Sequence, residues 1–246
     1  MIQHKAKAWL MEFHEKNLTQ AQNAITKDWK AEFPELAIQG PRHLLKRVGP
    51  LLLGIDLARY SPTEYEPGFH VHFLGNSKDG FCLTMRTSVL PPPGFFGGGV
   101  AVSDHKAVYK DCAKRLREEA PLRLEGPLTV AEVVAAYQKY STSPMGEQQL
   151  AYLYQDAIKL LACYDFADKA RGLLQEILER TEGRDYKFGH HGGREAYIER
   201  MRDAIAHPET IRETIEQQIV QHKVGRLPFS EFADAVPVTA LNEPKA

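Results

Sequence analysis

The chain has few cysteines and no long apolar run, and each shortage excludes a class of protein. Its 246 residues include three cysteines, Cys82, Cys112 and Cys163. An odd number of widely spaced cysteines argues against a disulfide framework and favours free thiols in a reducing compartment. No apolar run approaches the roughly 20 residues that a membrane-spanning helix needs. Residues 1–16 are charged and lack the apolar core of a signal peptide, so we expect a cytoplasmic protein with no membrane partner.

The chain also lacks an excess of charge of either sign. Its formal net charge is -1, from 31 basic and 32 acidic residues. Whole-molecule electrostatics therefore neither require nor exclude a charged partner, and binding to nucleic acid would need a local basic patch. With 43% hydrophobic and 26% charged residues, the composition is that of a soluble globular protein, large enough for one large domain or two small ones.

Sequence motifs of known chemistry are scarce as well. The chain contains no nucleotide-binding P-loop and no dinucleotide fingerprint. It has no serine nucleophile elbow and no Cys/His pair in a recognisable local context, so covalent catalysis has no support from the sequence.

What the sequence does contain is a change of hydrophobic period. Between residues 51 and 90 the odd positions are apolar or nearly so and the even positions include polar residues, which is typical of strands that bury one face. We expect strands near 51–60, 68–75 and 80–90, with a further strand near 42–48, joined by short loops into an antiparallel meander. From about residue 128 the apolar residues recur at intervals of three and four, which predicts helices. The even positions of the strands include Asp56, His70, His72, Thr84 and Arg86.

These patterns predict an α+β fold. An amphipathic helix over residues 4–31 opens the chain, a three- or four-stranded antiparallel meander follows, and the C-terminal region is mostly helical. We expect an α+β region over 1–120 with the sheet, a helical region over 121–230 and a tail over 231–246. Capping signals at Thr129 and at Ser143-Pro144 predict two of the helix starts.

A pair of histidines gives the first candidate site. Because residues two apart on a strand point the same way, His70 and His72 should share a face with Asp56 on the neighbouring strand and with Thr84, Arg86 and the thiol of Cys82 on the next. Two imidazoles and a carboxylate can hold a divalent transition metal such as zinc. The alternative is an ordinary polar sheet face, with no cofactor at all.

A glycine-rich loop gives the second candidate. His190, His191, Gly192, Gly193 and Arg194 precede a predicted helix, where free backbone donors and a guanidinium could hold an anion. The spacing matches no known phosphate motif, so a plain inter-helical loop is the alternative.

A basic stripe gives the third candidate. Lys106, Lys110, Lys114 and Arg117 recur at helical spacing and could lie along a phosphate backbone. Neighbouring acidic residues interrupt the stripe. The alternative is that these residues form only the solvent-exposed face of an amphipathic helix.

An aromatic loop gives the fourth candidate. Phe95 and Phe96 lie between a triple proline and a run of glycines, and aromatic residues of this kind serve as anchors for protein partners. Burial within the same chain is the alternative.

Residues 1–90 resemble small bacterial proteins that occur beside toxins as immunity or antidote partners. The resemblance lies in the opening amphipathic helix, the segment Lys46-Arg47-Val48-Gly49 and the alternating strands that carry Tyr60 and Phe73. Such proteins act by binding, so the resemblance implies a protein partner and no catalytic residues.

We therefore expect a non-enzymatic bacterial interaction protein, of an immunity, antitoxin or defence-associated kind. A metal-dependent hydrolase-like enzyme that uses His70 and His72 is the first alternative. A nucleic-acid-binding protein that uses the basic helix is the second. The sequence leaves the partner and the oligomeric state open.

Overall fold

The chain folds into an antiparallel sheet followed by a helical region, which confirms the predicted α+β architecture. The computed structural model describes residues 20–61, 63–76, 84–90 and 99–234. The predicted partner-binding residues Phe95 and Phe96, the thiol of Cys82 and the start of the predicted N-terminal helix lie outside the described residues.

The sheet has the order β1-β2-β3-β4-β5, in which successive strands are antiparallel neighbours. Two short strands complete it: β6 pairs with the start of β4, and β7 runs parallel to the end of β2. The strands are β1 (Ala37–Ile38), β2 (His43–Val48), β3 (Leu51–Ser61), β4 (Glu64–Phe73), β5 (Thr84–Ser88), β6 (Val100–Ala101) and β7 (Phe229–Ser230).

Along the described part of the chain, one helix precedes strands β1–β6 and the other helices follow them. The first, α1, is described over residues 20–32. None of the described helices is both long enough and apolar enough to cross a membrane. The others are α2 (His105–Glu119), α3 (Val130–Tyr140), α4 (Pro144–Gln148), α5 (Leu150–Cys163), α6 (Ala167–Arg180), the 3-10 helix Asp185–His191, α7 (Arg194–Ala206) and α8 (Pro208–Gln221).

Two helix starts follow the predicted capping chemistry. The Thr129 side chain accepts a hydrogen bond from the backbone of Glu132, and the Glu132 carboxylate accepts one from the backbone of Thr129. Ser143 caps α4 by accepting from the backbone of Gly146. Each cap satisfies backbone donors that the first turn of a helix leaves unpaired.

The predicted apolar face of the sheet packs against the helices. Leu53 and Ile55 on β3 and Phe69 on β4 are fully buried. They belong to the same apolar cluster as Leu153 of α5 and Ile177 of α6. A single core therefore joins the sheet to the helical region.

The other face of the sheet, here called the outer face, carries the even-numbered residues of β3 and β4. One end of it is apolar: Leu45 and Leu52 pack against Val224 and Leu227, which follow α8 in the chain. The opposite end carries the polar side chains of the predicted histidine site.

The prediction for Thr84 is wrong. Thr84 pairs with Val71 on the core side of the sheet, and its hydroxyl donates a hydrogen bond to the Val71 carbonyl at 3.2 Å. The register between β4 and β5 shifts at this point, and Met85 takes a left-handed backbone conformation with φ of 50°. Such a bulge reverses the alternation of the residues before it, so Thr84 does not share a face with Arg86.

The prediction of a loop over 61–67 is also wrong, since β4 begins at Glu64 and includes Pro67. Proline is tolerated in this strand because the Pro67 carbonyl accepts from Val89 and thus points toward β5. Its missing N–H lies on that same side, where β5 ends at Ser88 and the ladder needs no donor.

A buried polar network ties the end of β4 to α5. Asn76 follows β4, and its amide donates to the Asp156 carboxylate at 2.6 Å. Gln155 and Lys159 each donate to the Asn76 side-chain oxygen at 2.9 Å. Because buried polar groups are stable only when they are hydrogen-bonded, this network fixes α5 against the sheet.

Candidate functional site

The strand registers bring five ionisable side chains together at the polar end of the outer face. A two-residue turn, Gly49-Pro50, joins β2 to β3 and pairs Val48 with Leu51, which places His43 opposite Asp56. Gly49 has φ of 51°, a conformation that favours glycine. We call the group the outer-face site: it consists of His43, Asp56, Glu66, His70 and Arg86.

Two glycines lie beside the ionisable side chains of the outer-face site. Gly68 lies opposite Asp56, and Gly54 lies opposite His70. Neither position has a side chain to cover the strand backbone. A Cβ on Gly54 would lie 1.9 Å from the backbone oxygen of Leu44, so only glycine fits there. Glycine therefore allows the strands to pack closely beside the His70 ring.

A histidine–carboxylate pair and an ion pair flank the His70 ring. His43 Nε2 lies 3.2 Å from Asp56 Oδ1, and Arg86 Nη2 lies 3.7 Å from Glu66 Oε2. The His43 and Arg86 side chains are about one-third exposed, whereas the two acids are mostly buried. Burial alone would raise the pKa of Asp56, but the hydrogen bond from His43 and the nearby positive charges outweigh burial and lower it.

His70 lies between these pairs and differs from them in having no hydrogen bond. Its side chain is 1% exposed, and neither ring nitrogen has a hydrogen-bond partner among the described residues. The His43 ring is perpendicular to it at a centroid distance of 6.3 Å. Burial lowers the pKa of His70 to about 3 although the Asp56 charge opposes this shift. The ring is therefore neutral near pH 7, with one donor and one acceptor to offer.

His72 shares the outer face but sits at its other end. It pairs with Leu52, and its ring lies 5.9 Å from the His222 ring, beside the segment that covers the apolar end. Asp56, His70 and His72 thus occupy one face, as predicted, without converging on one point. Within the described ranges, no group of three or more His, Cys, Asp or Glu side chains is arranged to hold a metal ion. The metal site stays a prediction.

Sequence reasoning missed His43 and Glu66. A signal for His43 exists, because a two-residue turn at Gly49-Pro50 pairs every residue of β2 with a definite residue of β3. Counting outward from Val48 and Leu51 leads to His43 and Asp56. The signal for Glu66 is parity, because it is an even position of the strand that carries His70, but the sequence predicts that this strand begins only near residue 68.

No protein-family model matches the chain, and neither a curated protein nor a solved structure shows significant similarity to it. Function must therefore be argued from the side chains themselves. The outer-face site is the strongest candidate because it combines rigid strands, mixed charge and a buried imidazole with unmet hydrogen-bonding capacity.

Two side chains of the predicted anion loop, Arg194 and His191, make contacts within the protein. Arg194 begins α7, and its guanidinium donates to the carbonyl oxygens of Leu178 at 2.7 Å and Thr181 at 3.2 Å, at the end of α6. His191 is buried against two tyrosine rings, with centroid distances of 4.4 and 5.2 Å. His190 is exposed, and Gly192 and Gly193 adopt positive φ. Anion binding here stays a prediction.

The predicted basic stripe is divided between two environments. Lys106 Nζ lies 2.6 Å from the Asp28 carboxylate of α1. The Arg117 guanidinium carbon lies 4.4 Å from the ring centroid of the phenylalanine that follows α1. Lys110 and Lys114 are exposed, and Lys106 and Arg117 also stay exposed despite these contacts. Because two of the four cations are already engaged, the stripe is a weaker phosphate-binding surface than four unengaged cations, and nucleic-acid binding stays a prediction.

A second chain of polar groups resembles a catalytic relay but lies in the core. His105 Nε2 is 2.8 Å from the Asp28 carboxylate, and His105 Nδ1 is 2.7 Å from the Tyr65 hydroxyl. Trp29 donates to the same hydroxyl at 3.2 Å. Tyr65 is 1% exposed and burial raises its pKa, so the phenol stays protonated and out of contact with solvent. The chain joins α1, α2 and β4.

Proposed function

We propose that this protein is a cytoplasmic bacterial binding protein of the immunity or antitoxin kind, which recognises a protein partner through the outer-face site. The observation that carries the proposal is His70. A buried neutral imidazole that hydrogen-bonds to no protein group is destabilising by about 1–3 kcal/mol for each unsatisfied atom. The His70 ring is 1% exposed, so a partner reaches its nitrogens only after neighbouring side chains move aside. A partner that then supplies those hydrogen bonds recovers this free energy on binding.

The setting of His70 suits recognition of a polar group. A side chain that carries both a donor and an acceptor, such as a carboxamide, matches a neutral imidazole. The side chains stand on paired strands, which hold them in place before the partner arrives. Pre-organised groups lose little conformational entropy on binding.

The border of the site supports specificity. His43 and Arg86 are partly exposed cations or potential cations, and each is anchored by a mostly buried acid. A fixed pattern of mixed charge favours a complementary partner and disfavours like charges placed against it. The buried, unpaired thiols of Cys112 and Cys163 are consistent with a reducing compartment.

The aromatic loop is a second proposed contact. Phe95 and Phe96 follow Leu90 in the chain, and Leu90 is a large apolar side chain that is 51% exposed. Leu90 itself comes just after β5, the strand that carries Arg86.

Affinity capture from the native host tests the proposal with three forms of the protein. The wild type and a His190→Gln control, changed at an exposed histidine outside the site, should each recover one stoichiometric partner. His70→Leu, which keeps a similar volume but has no polar atoms, should recover at least tenfold less. Equal recovery by His70→Leu, or no partner under repeated mild conditions, contradicts the proposal.

A metal-dependent hydrolase-like function is the second candidate, and the same unbonded nitrogens of His70 are what favour it. Other ligands would have to move toward His70, since the described residues contain no ready set of three. Elemental analysis of the purified protein tests whether it holds a transition metal. Absence of a transition metal, or the same metal content after His70→Ala, excludes this function.

A further inference from the structure

A cleft separate from the outer-face site lies where β7 and α8 meet the β2–β3 turn. Its volume is about 320 Å³. Pockets of 300–1,000 Å³ are typical of small-molecule sites, so the cleft is at the lower end of that range. The side chains that matter for its chemistry are Arg47, Tyr164, Glu216, Ile219, Phe229 and Glu231.

Arg47 is the central feature of the cleft. It points from β2 toward the cleft, with its guanidinium carbon 4.2 Å from the centroid of the Phe229 ring. Its Nε atom is buried without a hydrogen-bond partner, and no carboxylate of the described residues forms an ion pair with it. A guanidinium in this state has its donors available for a ligand, and a carboxylate matches its planar fork.

The second arginine of the cleft is already occupied, which makes Arg47 distinctive. The Arg212 guanidinium donates to the Cys163 carbonyl at 2.9 Å and to the Asp165 carboxylate at 2.7 Å. These bonds hold α8 against the end of α5.

Acidic groups face Arg47 from two elements. Glu231 follows β7, and its carboxylate accepts a hydrogen bond from the Tyr164 hydroxyl at 3.3 Å. Glu216 is exposed on α8. Burial lowers the pKa of Arg47, while the charge of Glu231 raises it. Two carboxylates beside one unpaired guanidinium disfavour a simple anion and favour a ligand that carries both charges.

We propose that this cleft binds a small zwitterionic molecule of the α-amino-acid class, with an apolar side chain. The ligand carboxylate pairs with Arg47, and the ligand ammonium faces Glu216 and Glu231. The apolar side chain packs on Ile219 and Phe229, which line the same cleft. This binding is independent of the outer-face site.

Isothermal titration with L-leucine and two matched analogues tests the charge requirement. L-leucine should bind to the full chain. Leucinamide, which lacks the carboxylate, and 4-methylpentanoate, which lacks the ammonium, should each bind at least tenfold more weakly, because each leaves one charged group of the cleft unpaired. Equal binding by either analogue, or no heat from L-leucine at millimolar concentrations, overturns the proposal.

Variants test which residues do the binding. Arg47→Gln and Glu216→Gln should each weaken L-leucine binding at least tenfold, whereas Arg171→Gln, on the exposed face of α6, should leave it unchanged. Unchanged affinity in Arg47→Gln contradicts the assignment. Circular dichroism checks that each variant folds. If Arg47→Gln does not fold, the Glu216→Gln variant and the analogue series on the wild type still test whether the cleft binds L-leucine.

Discussion

Replacing His70 with leucine should change how the stability of the protein depends on pH. The His70 pKa is about 3 in the folded protein, below the ordinary value of 6.5 that applies to the unfolded chain. Below pH 6.5 the unfolded chain therefore binds a proton that folded His70 does not. The stability associated with neutral His70 is fully present above pH 6.5 and is lost as the pH falls toward 3.

The size of the effect follows from the two pKa values. Each pH unit between them corresponds to about 1.4 kcal/mol of unfolding free energy, since one proton is taken up on unfolding. Between pH 7 and pH 5, the wild type should lose about 2 kcal/mol through His70. The leucine variant should not show this loss of unfolding free energy, because leucine does not titrate. At pH 7 the variant should be at least as stable as the wild type, because it removes a buried polar group without hydrogen bonds.

Urea unfolding followed by circular dichroism at several pH values measures these free energies. His43, Asp56, His72 and Arg86 surround His70 and are present in both proteins, so the difference between wild type and variant isolates the His70 contribution. His190→Gln, at an exposed histidine, should follow the wild type. Parallel pH curves for the wild type and His70→Leu would refute the reasoning, because they would mean that His70 titrates normally in the folded state.

Three further predictions concern the helices and the thiols. Thr129→Ala should lower the unfolding free energy in urea by about 1 kcal/mol, because it removes the cap of α3. Asp156→Leu should lower it by about 1–3 kcal/mol or more, because the partners of a buried carboxylate are left unsatisfied; an unchanged melting temperature would contradict the buried network. In a Cys82→Ser protein, Cys112 and Cys163 should react with a thiol reagent only on unfolding, since burial raises their pKa to about 11 and about 12.

The alternation of apolar and polar residues correctly predicted which side chains of β3 and β4 point into the core shared with the helices. Leu53 and Phe69 point into that core, and His70 points away from it, as a period of two requires. The prediction failed at Met85, because a bulge depends on a local backbone conformation that the side-chain pattern does not encode.

The helical region was predictable in its spacing and less so in its burial. The apolar stripe that predicts α5 includes Leu150, Leu153 and Leu161, which are buried. Yet Gln155 and Asp156 on the same helix are buried too, because α5 packs on several sides. A stripe shows which side of a helix is apolar, but it cannot show that a polar residue finds partners from a distant strand.

The site was predictable in composition and not in geometry. Parity placed Asp56, His70 and His72 on one face, which the structure shows. Position along the strands then separates them: His72 lies beside the segment that follows α8, whereas His70 lies beside His43. Register between strands decides such neighbours, and register depends on turns and bulges as well as on periodicity.

The outer-face site and the Arg47 cleft stand on the same sheet, and the sheet should keep them independent. His70 is opposite Gly54, which is opposite Leu45, and Arg47 is two residues further along β2. Two strand spacings and two residues amount to about 12 Å between the two Cα atoms. Changes more than about 7–10 Å apart without shared partners usually add within about 0.5 kcal/mol.

The double variant His70→Leu with Arg47→Gln should therefore change the unfolding free energy by the sum of the two single changes, measured by urea unfolding at pH 7. Its affinity for L-leucine should equal that of Arg47→Gln alone. Among the described residues, Leu45 offers a route for coupling, because it lies between the two sites and packs against Val224 and Leu227. A departure from additivity well above 0.5 kcal/mol would contradict the independence of the two sites and indicate that this apolar contact shifts when either site is altered.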